Sequence, residues 1–126
     1  MTPVAAQKHI LVADDEITTS QLLSRIFEQA GFRVSVAFDG RLALEKMRHD
    51  PPDVLCVDLL MPGVDGYAIL KTVKADPHLA HIPVIVITAT SPQTRPEDVL
   101  ALGAARCVLK PFTRATILNL ISELLP

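Results

Sequence analysis

Polar side chains able to do chemistry fall where apolar runs stop. Asp14 and Asp15 follow the run His9 to Ala13, and Asp58 closes the run Val54 to Val57. Thr88 follows Val84 to Ile87, and Lys110 ends the run from Arg106. An ionised carboxylate at the end of a buried strand is costly unless something pairs with it. Three carboxylates meeting at one edge would also repel one another. At ~4 Å, a pair of unit charges costs about 4 kcal/mol at an effective dielectric near 20. A hard divalent cation relieves that repulsion, and magnesium suits such oxygen ligands. The nitrogen and sulfur ligands that zinc prefers are missing. With a hydroxyl and an ammonium opposite, a carboxylate oxygen of Asp58 can attack phosphorus and form an acyl phosphate. No second nucleophile or base stands at this edge. The set therefore reads as a phosphoryl acceptor, not a turnover enzyme.

These residues need a scaffold, and the totals bound it. The chain has 126 residues, room for one domain and one core. It is 49% hydrophobic and 21% charged, as expected of a globular protein. Aromatic residues are only 4%, Trp is absent and the net charge is −2. That composition argues against base-stacking or phosphate-coating nucleic-acid surfaces. Cys56 and Cys107 lie far apart and outside any CxxC pattern, which predicts buried free thiols in a reducing compartment. His9, His49, His78 and His81 show no ligand spacing. No stretch has the length of a membrane span, and the start lacks a signal-peptide core, so a cytoplasmic location is expected.

Strand-length and helix-length patterns alternate along the chain. After the first apolar run, Leu22, Leu23, Ile26, Phe27 and Ala30 recur at helical spacing, with Gly31 as a stop. Arg33 to Phe38 is a short β-branched run. Asp39 can cap a helix whose inner face carries Leu42, Ala43 and Met47. Asp50-Pro51-Pro52-Asp53 breaks the chain before the strand of Asp58. The turn Pro62-Gly63 leads to a helix with Tyr67, Ile69, Leu70 and Val73, ended by Asp76-Pro77. Val84 to Ile87 is the most strand-like run. Pro96 opens a short helix that ends at Gly103, and Arg106 to Lys110 is the last strand. Thr113 can cap a final helix with the stripe Ile117, Leu118, Ile121 and Leu124. Such alternation predicts an α/β fold, a parallel sheet with helices on both faces. In such sheets, sites form beyond the carboxyl ends of the strands.

Asp14-Asp15, Asp58 with Met61-Pro62-Gly63 and Asp65-Gly66, Thr88-Ala89 and Lys110-Pro111-Phe112 together resemble the receiver domain of two-component response regulators. The resemblance runs from about Lys8 to Leu125. It implies a flavodoxin-like five-stranded sheet in the order 2-1-3-4-5, a strand order that comes from the family. It implies a receiver domain over residues 8–126, after a flexible lead-in over 1–7. It makes Asp58 the phosphoacceptor and Asp15 a direct magnesium ligand. Asp14 would help through water, and the Leu60 backbone carbonyl would be a further ligand. Manganese could replace magnesium. Lys110 would pair with the phosphoryl group, and Thr88, with Ala89 beside it, would move toward it. Leu60 and Thr90 sit where receivers tune hydrolysis. Neither offers an acid or amide, so a long-lived phosphoryl group is expected. The implied partners are a sensor histidine kinase or histidine phosphotransfer protein, a downstream output protein or domain, and a phosphorylation-linked second copy.

One position departs from that pattern. Receivers usually carry an aromatic residue or His three positions before the lysine, and here that residue is Cys107. A thiol has little bulk to swing, so the switch should concentrate between Thr90 and Gly103. Simpler readings also exist. Asp14-Asp15-Glu16 can favour a helix start through its dipole, and Lys110 can merely end a strand. A haloacid-dehalogenase-type phosphatase would need a second Asp where Leu60 stands. A flavodoxin-like phosphate loop would be repelled by Asp14-Asp15-Glu16. A phosphorylation-independent interaction module is the remaining alternative.

Overall fold

The computed structural model describes residues 7–89, 91–92 and 95–125. Of the lead-in expected over residues 1–7, only Gln7 is among them; its side-chain amide donates to the Gly31 carbonyl at 3.1 Å. The strands are β1 (His9–Ala13), β2 (Arg33–Ala37), β3 (Val54–Val57), β4 (Val84–Ala89) and β5 (Arg106–Lys110). The helices are α1 (Ile17–Gln29), α2 (Gly40–His49), α3 (Gly66–Ala75), α4 (Pro96–Ala101) and α5 (Arg114–Leu124). All strand pairs are parallel, in the order β2-β1-β3-β4-β5. The expected fold class and strand order are both present.

Period-2 alternation divides the sheet between two cores. Leu11, Ala13, Leu55, Val57, Val84 and Val86 face one side, with Ala43 and Met47 of α2, Ile69, Leu70 and Val73 of α3, and Val99 of α4. Ile10, Val12, Val54, Cys56, Ile85, Ile87 and Val108 face the other, with Leu23, Ile26 and Phe27 of α1 and Ile117 and Ile121 of α5. The central strands are buried on both faces, which is why their sequences run continuously apolar.

Local signals set the helix ends. Asp39, Asp65 and Thr113 accept from the backbone N–H groups of Leu42, Ala68 and Thr116. Gly31 follows α1 at a φ of 96°, which suits a residue without Cβ.

Several inner-face expectations need correction. Leu22 and Leu42 are exposed, as is Ala30, which lies past the end of α1. At 100° per residue, Leu22 lies beside the stripe of Thr19, Leu23, Ile26 and Phe27. Leu42 lies on the side of α2 opposite Ala43 and Met47. Phe38 is past the last β2 pair and about half exposed. Leu118 and Leu124 only flank the stripe of Ile117 and Ile121.

As expected, β2 is a sheet margin. Arg33 N–H donates to the Lys8 carbonyl and the Ala37 carbonyl accepts from Asp14 N–H, so these residues turn toward β1. Val34 and Val36 therefore turn their backbone groups outward. The Lys46 ammonium, from α2, donates to the Val36 carbonyl at 2.6 Å.

Candidate functional site

The parallel register brings the strand ends to one edge. Ala13 is level with Ala37 on one side and Val57 on the other, so Asp14 and Asp58 leave neighbouring strands at the same height. Their backbones are tied: Asp14 N–H donates to the Ala37 carbonyl at 3.1 Å, and Asp58 N–H to the Ala13 carbonyl at 3.0 Å. Ala89 pairs with Lys110 and Thr88 with Leu109, which sets the hydroxyl and the ammonium at that edge.

The side chains converge there. Lys110 Nζ lies 2.9 Å from Asp58 Oδ2 and 3.3 Å from Asp14 Oδ2. Thr88 Oγ1 donates to Asp58 Oδ1 at 3.0 Å, and the Leu60 N–H donates to the same oxygen at 3.0 Å. Glu16 N–H donates to Asp14 Oδ1 at 2.9 Å. Asp14 is 2% exposed, Asp58 7% and Thr88 0%, so these bonds lie in a poorly solvated corner.

The electrostatics follow from that burial. Desolvation raises the Asp14 pKa, with the Asp58 charge adding to it; the Glu16 N–H and Lys110 oppose the rise without cancelling it. Burial works against the Lys110 ammonium, but the hydrogen bond to Asp58 and the charges of Asp14 and Asp58 outweigh it and raise its pKa. Lys110 is thus held protonated between two carboxylates. One negative charge remains in excess, since two carboxylates share one ammonium.

Asp14, Asp58, Thr88 and Lys110, picked out in the sequence, meet here. Asp15 sits on the same turn but is exposed, with no side-chain hydrogen bond or ion pair among the described residues. The picture of three crowded carboxylates is thereby corrected: two are buried around Lys110, and the third faces solvent. Among the described residues no three His, Cys, Asp or Glu side chains form a ready-made metal cage. The donor set still fits a hard cation, being all oxygen with a surplus negative charge. Leu60 shares in the site through its N–H, and its side chain is 58% exposed. Ala89 is exposed at the end of β4. Thr90 lies outside the described residues.

Cys107 is level with Val86 and packs at the margin of the α2–α3–α4 core. It is half-buried, which corrects the expectation of buried thiols at this position, while both cysteines are free as expected. Cys56 is buried, and desolvation pushes its thiol up to about 12. His9 is also buried at its strand end, bonded through Nε2 to Ser35 Oγ at 2.8 Å.

Two supports escaped the sequence reading. Ser20, on the inner face of α1, is 1% exposed and donates from Oγ to the Asp14 carbonyl at 3.0 Å. Gly66, present only as part of a motif, brings α3 against the backbone of Asp58 and Leu59 so closely that an added Cβ would collide with both. A polar residue on the buried stripe of a helix was the available signal for Ser20.

The family model described as the response regulator receiver domain matches residues 10–122. The chain belongs to that family. It is 37% identical over 103 residues to the response regulator PleD of Caulobacter vibrioides, covering 82% of this chain but only 23% of that protein. It is 33% identical over 109 residues to the chemotaxis protein CheY-3 of Vibrio cholerae, covering 86% of this chain and 84% of the relative. Among solved structures, CheY4 of Vibrio cholerae superposes with a TM-score of 0.86 at 32% identity, over 95% of this chain and 100% of the other. The receiver domain of the Francisella response regulator 1452 gives 0.85 at 30% identity, over 94% and 96%. The receiver family consists of signalling domains of two-component systems, not conventional enzymes.

Proposed function

We propose that Asp58 of this receiver domain accepts a phosphoryl group from a phosphohistidine, on a sensor kinase or a histidine phosphotransfer protein. The observation that carries the reading is the setting of the Asp58 carboxylate. Among the described residues, Oδ1 holds two donors, Thr88 Oγ1 and the Leu60 N–H, while Oδ2 holds only Lys110. The carboxylate is thus oriented but keeps lone pairs for attack. A carboxylate oxygen bonds to phosphorus as the bond from phosphorus to the donor imidazole nitrogen breaks. The imidazole keeps that electron pair and later takes a proton from water.

The protonated Lys110 neutralises charge on the transferred oxygens, and Thr88 can turn its hydroxyl from Asp58 to one of them. Asp15, Asp58, the Leu60 carbonyl and, through water, Asp14 would hold magnesium or manganese. That ion, when bound, supplies further charge neutralisation at the phosphoryl oxygens. Residues 8–126 make up the receiver, with 1–7 as a lead-in.

The phosphorylated surface engages an output protein or domain, or a second copy of the chain. With Cys107 in place of a bulky ring, the loop after Thr88 and α4 carry the change. No described helix is long and apolar enough to cross a membrane, in keeping with a cytoplasmic site of action.

The test is intact-mass measurement after incubation with acetyl phosphate and magnesium. Wild type should gain the mass of one phosphoryl group and Asp58→Ala none; equal labelling of both rejects the assignment. Followed after donor removal, the mass should persist for minutes or longer, because neither Leu60 nor Thr90 carries an acid or amide that could orient an attacking water; loss within seconds rejects that part. Amide exchange on the labelled sample should change most between residues 90 and 103. Larger changes around Cys107 would reject the role given to the loop.

A further inference from the structure

We propose that Ser20 is a positioning residue for the acidic turn, fixing where the Asp15 carboxylate stands. This rests on the reading of Asp15 as a cation ligand beside Asp58. Asp15 has no side-chain partner among the described residues, so its backbone alone sets its place. That backbone is pinned from three directions at the preceding residue. Asp14 N–H is bound to the Ala37 carbonyl, and Asp14 Oδ1 takes the Glu16 N–H. The Asp14 carbonyl takes the Ser20 hydroxyl at 3.0 Å in a fully buried bond.

The third tie is the one that reaches Asp15. The Asp14 carbonyl and the Asp15 N–H belong to one planar peptide unit. Fixing the direction of the carbonyl fixes the plane, and with it the direction in which Asp15 leaves the strand. Ser20 itself is held by α1, through its N–H to the Glu16 carbonyl at 3.0 Å, so the hydroxyl is a fixed donor. Nearby, Thr19 Oγ1 donates to Glu16 Oε1 at 2.8 Å and draws that carboxylate onto the helix. Without the Ser20 hydroxyl the Asp14 carbonyl is buried and unpaired, and the peptide gains from turning toward water. Alanine is a better helix former than serine, so α1 survives the change.

The experiment compares wild type, Ser20→Ala and Ser20→Thr in the full chain. Calorimetric titration with magnesium chloride should show Ser20→Ala binding about 10-fold more weakly, the low end of supporting-shell losses. Ser20→Thr keeps the hydroxyl and should bind magnesium as wild type does. Acetyl phosphate labelling of Ser20→Ala should slow at low magnesium and recover at saturating magnesium. The Glu16 amide should exchange faster in Ser20→Ala while the Leu60 amide does not change. A Ser20→Ala chain that melts earlier but binds magnesium as wild type does, with Glu16 exchange unchanged, overturns the proposal and leaves a structural hydrogen bond. Failure of wild type itself to bind magnesium or take label shows in all three chains and overturns the reading of the site as well.

Discussion

At Asp14, folding and function pull apart. Its carboxyl is buried beside Asp58 with a shared Lys110, and its pKa lies above the ordinary 3.8. A group whose folded pKa is raised contributes stability below its unfolded pKa and loses it as pH rises through the folded value. Ionised Asp14 is therefore a cost at neutral pH. Asp14→Asn should raise stability at pH 7, because the amide removes the buried charge that the raised pKa marks as unfavourable. The gap should close as pH falls through the raised folded pKa, where wild-type Asp14 takes up a proton as well. Urea midpoints at several pH values measure this; a gap that widens on acidification would contradict it. Asp58, Thr88 and Lys110 were legible because each ends an apolar run where a polar group needs a reason. Ser20 was not, because its reason is a carbonyl six positions back, brought beside it only once β1 turns into α1. The exposure of Asp15 was equally hidden, since neighbours in sequence need not share a burial.

At the scale of elements, the approach of α3 to β3 decides how well Asp58 is held. Gly66 N–H donates to the Leu59 carbonyl at 3.1 Å, and Asp65 caps the helix through Ala68 N–H at 2.9 Å. A methyl group at Gly66 would meet backbone atoms of Asp58 and Leu59, which cannot swing aside as a side chain would. Gly66→Ala should therefore push α3 away and cost about 1–3 kcal/mol, the usual range for overpacking. It should also slow labelling of Asp58. Denaturation midpoints and mass-detected labelling rates check both; an unchanged rate would show that α3 does not set the acceptor. The elements themselves were legible from caps and breaks: Asp39, Asp65 and Thr113 begin helices, and Gly31 follows one. Helix phase was less so. Leu22 and Leu42 are apolar by composition, but they point beside or away from the stripe that packing selected.

At the scale of the molecule, the site is a product of topology. Lys110 stands 52 positions from Asp58 and 96 from Asp14, yet bonds to both. Strict alternation of strand and helix made the parallel sheet legible, because each crossover returns the chain in the same direction. The order of the strands was not contained in that alternation and came through likeness to a family. The split into two cores follows from period 2 along each strand, and the order of strands leaves the sheet's two margins at β2 and β5.

At the β2 margin, the Lys46 bond to the Val36 carbonyl has a consequence for solubility. A bare strand border is a template onto which a stranger's backbone can zip, and a capped, charged one is not. Lys46→Met should free the border while keeping α2 helical. Light scattering of concentrated samples held just below the melting midpoint should then rise sooner than for wild type. Matching traces would mean that the charge at Lys46 does not keep copies of the chain apart.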